Sequence, residues 1–197
     1  MLQDEYYVIE REDNDDYPSF SWDQLSGDFG MGRPVEYGEP VKFRLRSSAS
    51  PNFEWVDYHE APEPIISKKI VDALLPLDLY GVQFIPAKVR NPKAPFSEVK
   101  DYWFMHVWNR IACLDKEKSD FTMSKSGRTM FGIDKLVLNE KTLSLFELRK
   151  RQIFELTEKT SVLLIHQTVK DAIESVNPKG CRFFKAADWR SDIVFEK

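Results

Sequence analysis

Apolar and polar residues alternate over several short stretches of this chain, which is the pattern of half-buried β-strands. Residues 41–46 alternate most clearly, residues 102–108 are the strongest strand candidate, and residues 6–9 are rich in β-forming side chains. Residues 133–138 and 143–148 flank a polar turn sequence, which predicts a hairpin. The pattern therefore predicts a sheet of mainly antiparallel strands.

Two segments have the apolar spacing of an amphipathic helix, and each is followed by a glycine and a strand. The first begins at Ser67, a favourable N-cap residue, and is expected to end at Pro76. The second begins at His166. Segments 67–87 and 166–186 match at a constant offset of 99 residues. The identical pairs are Asp72 and Asp171, Ala73 and Ala172, Gly81 and Gly180, Phe84 and Phe183, and Ala87 and Ala186. The match predicts a repeated unit, although any helix that ends at a left-handed glycine looks similar.

These elements predict an α+β fold, a mixed and mainly antiparallel sheet with the two helix–Gly–strand units packed on it. The length fits a single domain over residues 1–197, large enough to fold without a disulfide or a metal. Residues 10–32 form an acidic, glycine-rich arm within it. Cys113 and Cys181 belong to no CxxC pair, and we interpret them as buried thiols in a reducing compartment.

The N-terminal sequence lacks the basic and apolar regions of a secretion signal. No apolar run approaches the roughly 20 residues that a membrane helix needs. We therefore expect a cytoplasmic protein that makes no contact with a membrane.

Charge is distributed unevenly along the chain. Residues 1–39 hold eleven acidic and two basic side chains, a net charge of −9, which leaves +5 for the remainder of a chain whose net charge is −4. Nucleic-acid binding requires the opposite sign, so we expect no nucleic-acid partner. An acidic segment suits a basic surface of a partner protein.

Catalytic motifs are not found in the sequence. The three histidines have no metal-ligand spacing, and there is no GxSxG, P-loop or dinucleotide-binding GxGxxG motif. The glycines of residues 27–32 are interpreted as a turn that needs positive φ angles. We expect no cofactor, no metal site and no enzymatic activity. One alternative stays open: a small enzyme that uses His59 with the neighbouring carboxylates Glu54, Asp57 or Glu60 as acid and base.

The arm has the best features for binding. Acidic residues alternate there with aromatic ones, and aromatic side chains are common anchors at interfaces. The alternative is a solvated loop whose rings pack back onto the core. The predicted contact residues are Asp13, Asp15, Asp16, Tyr17, Trp22, Asp23 and Trp55.

The middle of the chain resembles a known family. The resemblance rests on residues 90–96, 101–110 and 113–115, together with the two helix–Gly–strand units. The family is immunity protein family 11, formerly a domain of unknown function. The resemblance spans about residues 40–185, and the acidic arm lies outside it.

This resemblance implies a bacterial immunity protein that binds a cognate secreted toxin effector and blocks its active or substrate-binding surface. Members of the family accompany polymorphic toxins, including those of type VI secretion systems, and these toxins are often nucleases with basic clefts. A generic protein-binding scaffold is a further alternative. Self-association is left open, because an exposed strand edge near residues 102–108 could pair with another copy.

Overall fold

A computed structural model describes residues 1–47, 49–50, 52–93 and 98–193. Residues 94–96, which contribute to the resemblance, lie outside this part. The strands are β1 Tyr6–Arg11, β2 Phe20–Trp22, β3 Val41–Leu45, β4 Tyr58–His59, β5 Ile65–Ile66, β6 Val82–Arg90, β7 Val99–Val107, β8 Arg110–Ile111, β9 Asp120–Met123, β10 Met130–Lys135, β11 Ile153–Leu156, β12 Lys159–His166 and β13 Cys181–Lys185. The helices are α1 Lys68–Leu74, α2 Glu140–Ser144, α3 Leu148–Arg151 and α4 Gln167–Glu174.

The strands form two larger sheets and one hairpin. One sheet has the order β13-β1-β12-β11-β8, and the other has the order β2-β3-β6-β7-β5-β4. Strands β9 and β10 pair only with each other among the described residues. Two pairs, β3 with β6 and β8 with β11, are parallel, and the others are antiparallel. The predicted α+β fold with mainly antiparallel sheets is confirmed.

Each large sheet contains the same split β-α-β unit. In the first unit β5 leads through α1 to β6, and β7 lies between these two strands, antiparallel to both. In the second unit β12 leads through α4 to β13, and β1 lies between them in the same way. The central strand comes last in the first unit and first in the second, so the units differ in chain order but not in arrangement.

The strand registers of the two units agree residue by residue. Three residues lie side by side at equivalent positions: Ile66, Trp103 and Pro86 in the first unit, and Ile165, Tyr7 and Lys185 in the second. The Trp108 amide donates to the Gly81 carbonyl at 2.9 Å, and the Glu12 amide donates to the Gly180 carbonyl at 2.9 Å. The offset of 99 residues in the sequence therefore corresponds to a repeated arrangement in the structure.

The two helices pack together in the core between the sheets. Ile70 and Leu74 of α1 and Val169 and Ile173 of α4 are almost fully buried there. Side chains from the inner faces of both sheets complete this cluster. Burying one such side chain stabilises the fold by about 1.5–3 kcal/mol, so this layer holds the two units together.

One local prediction is wrong. Residues 139–142 form no hairpin, because the Asn139 side chain accepts a bond from the Thr142 amide at 3.1 Å and caps α2. The α-helix α1 does end before Pro76, at Leu74, and a short 3-10 turn follows over Leu75–Leu77. The strand edge expected near residues 102–108 is covered at Trp103 and Phe104, where β7 pairs with both β5 and β6.

The described helices include none that is long and apolar enough to cross a membrane.

Candidate functional site

The sheet of the first unit extends beyond the strands that the two units share. Strands β2 and β3 add to the edge of β6, and the C-terminal part of β6 and the N-terminal part of β7 continue beside them. We call this extension the wing: β2, β3, residues 88–90 and residues 99–101. In the second unit β13 forms the sheet edge in the part of the chain that the structure describes, so the wing has no counterpart there.

The wing has one aromatic and one charged face, because side chains alternate along a strand. In β3, Val41, Phe43 and Leu45 point to one face and Lys42 and Arg44 are exposed on the other. The first face packs into a group of rings that we call the aromatic cluster: Phe20, Phe43, Tyr102 and Phe104, with Trp22, Phe29, Phe53 and Trp55 against them.

Both predicted tryptophans lie in the aromatic cluster. The ring of Trp22 is 4.6 Å from that of Phe43 and is stacked on Phe29 at 5.6 Å. The ring of Trp55 is 6.2 Å from Phe20 and 6.1 Å from Tyr102. Each tryptophan is partly exposed at the rim of the cluster, with one side packed and the other open to solvent.

The acidic loop, residues 12–17, connects β1 to the segment before β2. Its backbone is held at both ends: the Glu12 amide donates to Gly180, and the Asp16 carbonyl accepts from the Glu54 amide at 2.8 Å. The Asp16 amide also donates to the Asn14 side chain at 2.9 Å. The loop carboxylates are exposed and form no ion pair within the described chain: Asp13, Asp15 and Asp16. The structure therefore presents them to solvent from an ordered turn beside Trp55.

Tyr17 and Asp23 differ from these carboxylates. Tyr17 is half-buried and borders a cavity of about 10 Å³, room for one water molecule at most. The Asp23 carboxylate accepts two bonds of 3.1 Å from Arg90 and lies 3.9 Å from Arg44. Its charge is thus already compensated within the chain.

A lid segment, residues 24–37, covers part of the aromatic cluster. The Gln83 side chain accepts from the Val35 amide at 2.8 Å and donates to the Val35 carbonyl at 3.0 Å. Arg110 donates to the Gly30 carbonyl at 3.1 Å. Phe29 anchors the segment, its ring 5.1 Å from Phe104. The positive φ angles expected for the glycines are found at Gly27 and Gly32.

His106 of β7 also holds the lid. Its Nε2 lies 2.9 Å from the Arg33 carbonyl oxygen, so Nε2 must carry the proton. Burial lowers the pKa of His106, which keeps the ring neutral. Three large apolar side chains of this region remain highly exposed, at 91%, 62% and 47%: Leu25, Met31 and Tyr37. Such exposure on a clamped segment is a feature of interaction surfaces.

His59 is buried rather than placed at a catalytic pocket. Its Nδ1 lies 2.9 Å from the Pro18 carbonyl oxygen, its Nε2 lies 3.4 Å from the Tyr102 hydroxyl, and it is 3% exposed. Burial lowers its pKa to about 4. The three carboxylates considered as partners are engaged elsewhere: Glu54 with Lys179, Asp57 with Lys69 and Lys179, and Glu60 with the Arg11 amide. The structure therefore offers no acid–base pair at His59.

Three partly buried carboxyls, those of Glu60, Glu63 and Glu155, line a separate cavity of about 180 Å³ between the two sheets. Burial, and then the charge of Glu155, raise the pKa of Glu63 to about 7. Glu155 itself pairs with Arg110 at 2.8 Å. Among the described residues no cluster of histidine, cysteine and acidic side chains has the geometry to hold a metal ion.

Neither cysteine is activated. Burial raises the pKa of both the Cys113 and the Cys181 thiol to about 12, so neither is a thiolate at neutral pH.

Sequence reasoning missed the lid and the charged face of the wing. The lid contacts depend on Gln83 and His106, which no motif distinguishes. The alternation of residues 41–46 did predict one exposed face of β3, but not which strand would lie beside it.

The fold and this surface define a class of protein: an α+β fold with exposed acidic side chains and partly exposed aromatic ones. Residues 1–188 match the model of a family described as immunity protein family (Imm11). The chain therefore belongs to this immunity protein family. The match begins at residue 1, so the acidic arm lies inside the family's extent, which corrects the resemblance limited to residues 40–185. None of the curated proteins matches the chain.

Proposed function

We propose that this chain binds a cognate secreted toxin effector and neutralises it by covering its active or substrate-binding surface. Membership of an immunity protein family supports a toxin as the partner. The proposal further names the acidic loop, Trp22 and Trp55 as the contact surface and a basic surface, such as a nuclease cleft, as its target.

One observation carries this assignment of the surface. The three loop aspartates are exposed without ion pairs within the described chain, while the loop backbone is fixed to Gly180 and Glu54. Unpaired charges on an ordered loop accelerate association with a surface of opposite charge, because little reorganisation is needed on binding. The neighbouring tryptophans supply apolar area for contact after the first encounter.

The test is the association rate with the toxin domain encoded beside this chain. In the triple variant Asp13→Asn, Asp15→Asn, Asp16→Asn, we expect association at least about tenfold slower at low salt, with a smaller difference at about 0.5 M salt. A matched control is Asp120→Asn, Asp134→Asn, Asp188→Asn, which removes the same charge from exposed positions elsewhere. Equal rates for the two triple variants would remove the loop from the mechanism.

A further inference from the structure

The charged face of the wing carries four basic side chains in a compact block. Strands β3 and β6 are parallel, and their register places Lys42 beside Lys88 and Arg44 beside Arg90. The four side chains are between 40% and 57% exposed. Two consecutive rows of like charge therefore lie on one open sheet face.

Without carboxylates beside them, these two rows of like charge would be unfavourable. Neighbouring strands are about 4.8 Å apart, and like charges directly opposite each other destabilise a sheet. Alternating signs would stabilise the same face by a few tenths of a kcal/mol per pair. Binding of carboxylates to this face would explain why four basic residues occupy these positions.

Each of the four bases already has a carboxylate of this chain nearby. Asp23 holds Arg90 through two bonds and lies 3.9 Å from Arg44, Asp101 pairs with Lys88 at 2.6 Å, and Glu39 lies 3.4 Å from Lys42. Asp101 and Glu39 are 77% and 79% exposed. Such exposed pairs contribute about 0–1 kcal/mol each, so both carboxylates are readily displaced.

We infer that this face is a docking surface for an acidic, extended segment of the partner protein, whose carboxylates replace Glu39 and Asp101 on Lys42 and Lys88. The inference rests on the proposed function, in which the partner is the toxin. It gives the toxin a second contact whose charge is opposite to that of the acidic loop.

Spacing favours an extended segment. Lys42 and Arg44 are two residues apart on one strand, as are Lys88 and Arg90, which separates each pair by about 6.6 Å. Alternate side chains of an extended peptide have the same spacing. The face is also bordered by a groove of about 420 Å³, whose lining includes Arg44, Arg46 and Lys93.

The contacts favour carboxylates over the phosphates of a nucleic acid. Arg90 already binds a carboxylate in the two-bond geometry that suits both groups, and three acidic side chains surround the block. The aromatic side chain nearest to the block on this face, Trp103, is packed against the helices. It is therefore not free to stack on a base, as single-stranded nucleic acids require.

Contacts of opposite sign at two places fix the orientation of a complex, because a rotated partner would meet like charges. The acidic loop follows β1 of the second unit, whereas the basic block lies on the wing that extends the sheet of the first unit. The partner must therefore present a basic surface and an acidic segment at a matching separation.

The experiment uses the whole chain and a fluorescein-labelled peptide of about ten residues with glutamates at alternate positions, titrated at low salt. A second peptide has the same composition with its glutamates in one block. We expect the alternating peptide to bind more tightly, and Lys42→Gln with Lys88→Gln to weaken its binding about fivefold or more, about 1 kcal/mol. The control Lys116→Gln with Lys125→Gln removes two exposed bases elsewhere and should change binding less than twofold.

Three results would overturn the inference: no peptide binding up to about 1 mM, equal weakening by the two double variants, or tighter binding of a labelled DNA oligonucleotide than of the peptide. Both double variants replace exposed lysines, so unchanged thermal melting shows that folding is intact.

Co-expression with the toxin domain separates the two proposals. If the chain protects cells but does not bind the peptide, the docking surface is refuted and the proposed function stands. If the chain binds the peptide but does not protect cells, the proposed function is refuted and the peptide-binding surface stands.

Discussion

The two β-α-β units share their strand arrangement, their register and their helix packing, and they differ in what covers their outer faces. In the second unit the cover is largely aliphatic, and Leu136, Leu138 and Leu143 are under 3% exposed, while Phe131 and Leu145 at its surface remain 65% and 82% exposed. In the first unit the cover includes partly exposed rings, among them Trp22, Phe29 and Trp55. The shared part builds the fold, and the two units differ in the side chains that cover it.

The central strands differ in one buried position. Glu10 of β1 corresponds to His106 of β7. Glu10 pairs with Arg182 and His106 pairs with Gln83, and these two partners occupy equivalent positions in the two units. Glu10 accepts a bond of 2.7 Å from the Trp189 indole, whereas His106 holds the lid. One unit thus uses this position to fasten the C-terminal segment, and the other uses it to fasten a candidate binding segment.

The largest expected effect tests the shared helix layer. Leu74 and Ile173 are equivalent and at most 1% exposed, so Leu74→Ala and Ile173→Ala should each lower the free energy of unfolding by about 3–4 kcal/mol. Urea unfolding measures this. Leu75→Ala, at a position that is 59% exposed, should change it by less than about 0.5 kcal/mol. Losses that differ by more than about 2 kcal/mol between the two core variants would break the equivalence.

The glycines that directly precede β6 and β13 test the same equivalence. Gly81 and Gly180 have φ angles of 76° and 91°, and an added Cβ would lie 2.2 Å from Asn109 and 2.6 Å from Val56. Replacing either by alanine should cost about 2–3 kcal/mol, through backbone strain and crowding. Thermal unfolding measures the loss. Gly30→Ala, which meets no atom within 4 Å, is the control, and a comparable loss there would contradict the explanation.

A variant that loosens the lid tests the difference between the two units, because only the first unit carries this segment. Gln83→Ala removes both bonds to Val35 and should free the lid, with a local loss of about 1–2 kcal/mol. We expect a glutamate-specific protease to cleave faster after Glu36, which is exposed beside Val35, while global unfolding changes little. Gln167→Ala on the surface of α4 serves as a control. An unchanged cleavage rate in Gln83→Ala would show that the lid is held without Gln83, by its rings and by the bonds from Arg110 and His106.

The pH-dependent effect concerns Glu10. Burial, and then the charge of Glu60, raise the pKa of Glu10 to about 8, while Trp189 and Arg182 oppose the shift. Between its usual pKa and about 8 the folded chain keeps a proton that the unfolded chain loses, so this group's contribution to stability falls as pH rises. Its slope is at most about 1.4 kcal/mol per pH unit.

The variant Glu10→Gln cannot ionise but still has an oxygen that accepts the Trp189 bond. Its stability relative to the wild type should therefore rise from about pH 5 to about pH 8 and then level off. Denaturant midpoints measured at several pH values test this. A constant difference across that range would mean that Glu10 is ionised in the folded chain.

Much of the fold could be predicted from the sequence where one face of a strand is exposed. Alternation identified β3, but β12 was missed because residues 162–165 are buried on both faces and do not alternate. Asn139 was misread because asparagine favours both turns and helix N-caps.

The candidate site was only partly predictable for a similar reason. The acidic cluster is contiguous in the sequence, so Asp13, Asp15 and Asp16 were identified directly. The basic block depends on the register between β3 and β6, strands that are separated by more than thirty residues. No local pattern specifies which residues become neighbours at that distance.

Hydrogen–deuterium exchange of this chain with and without the toxin domain encoded beside it tests the central claim most directly. The account predicts slower exchange on binding in the acidic loop, the lid and β3, and unchanged exchange in α2 and the β9–β10 hairpin. Protection confined to α2 and that hairpin would contradict it, because the toxin would then bind the cover of the second unit rather than the acidic loop, the lid and the wing.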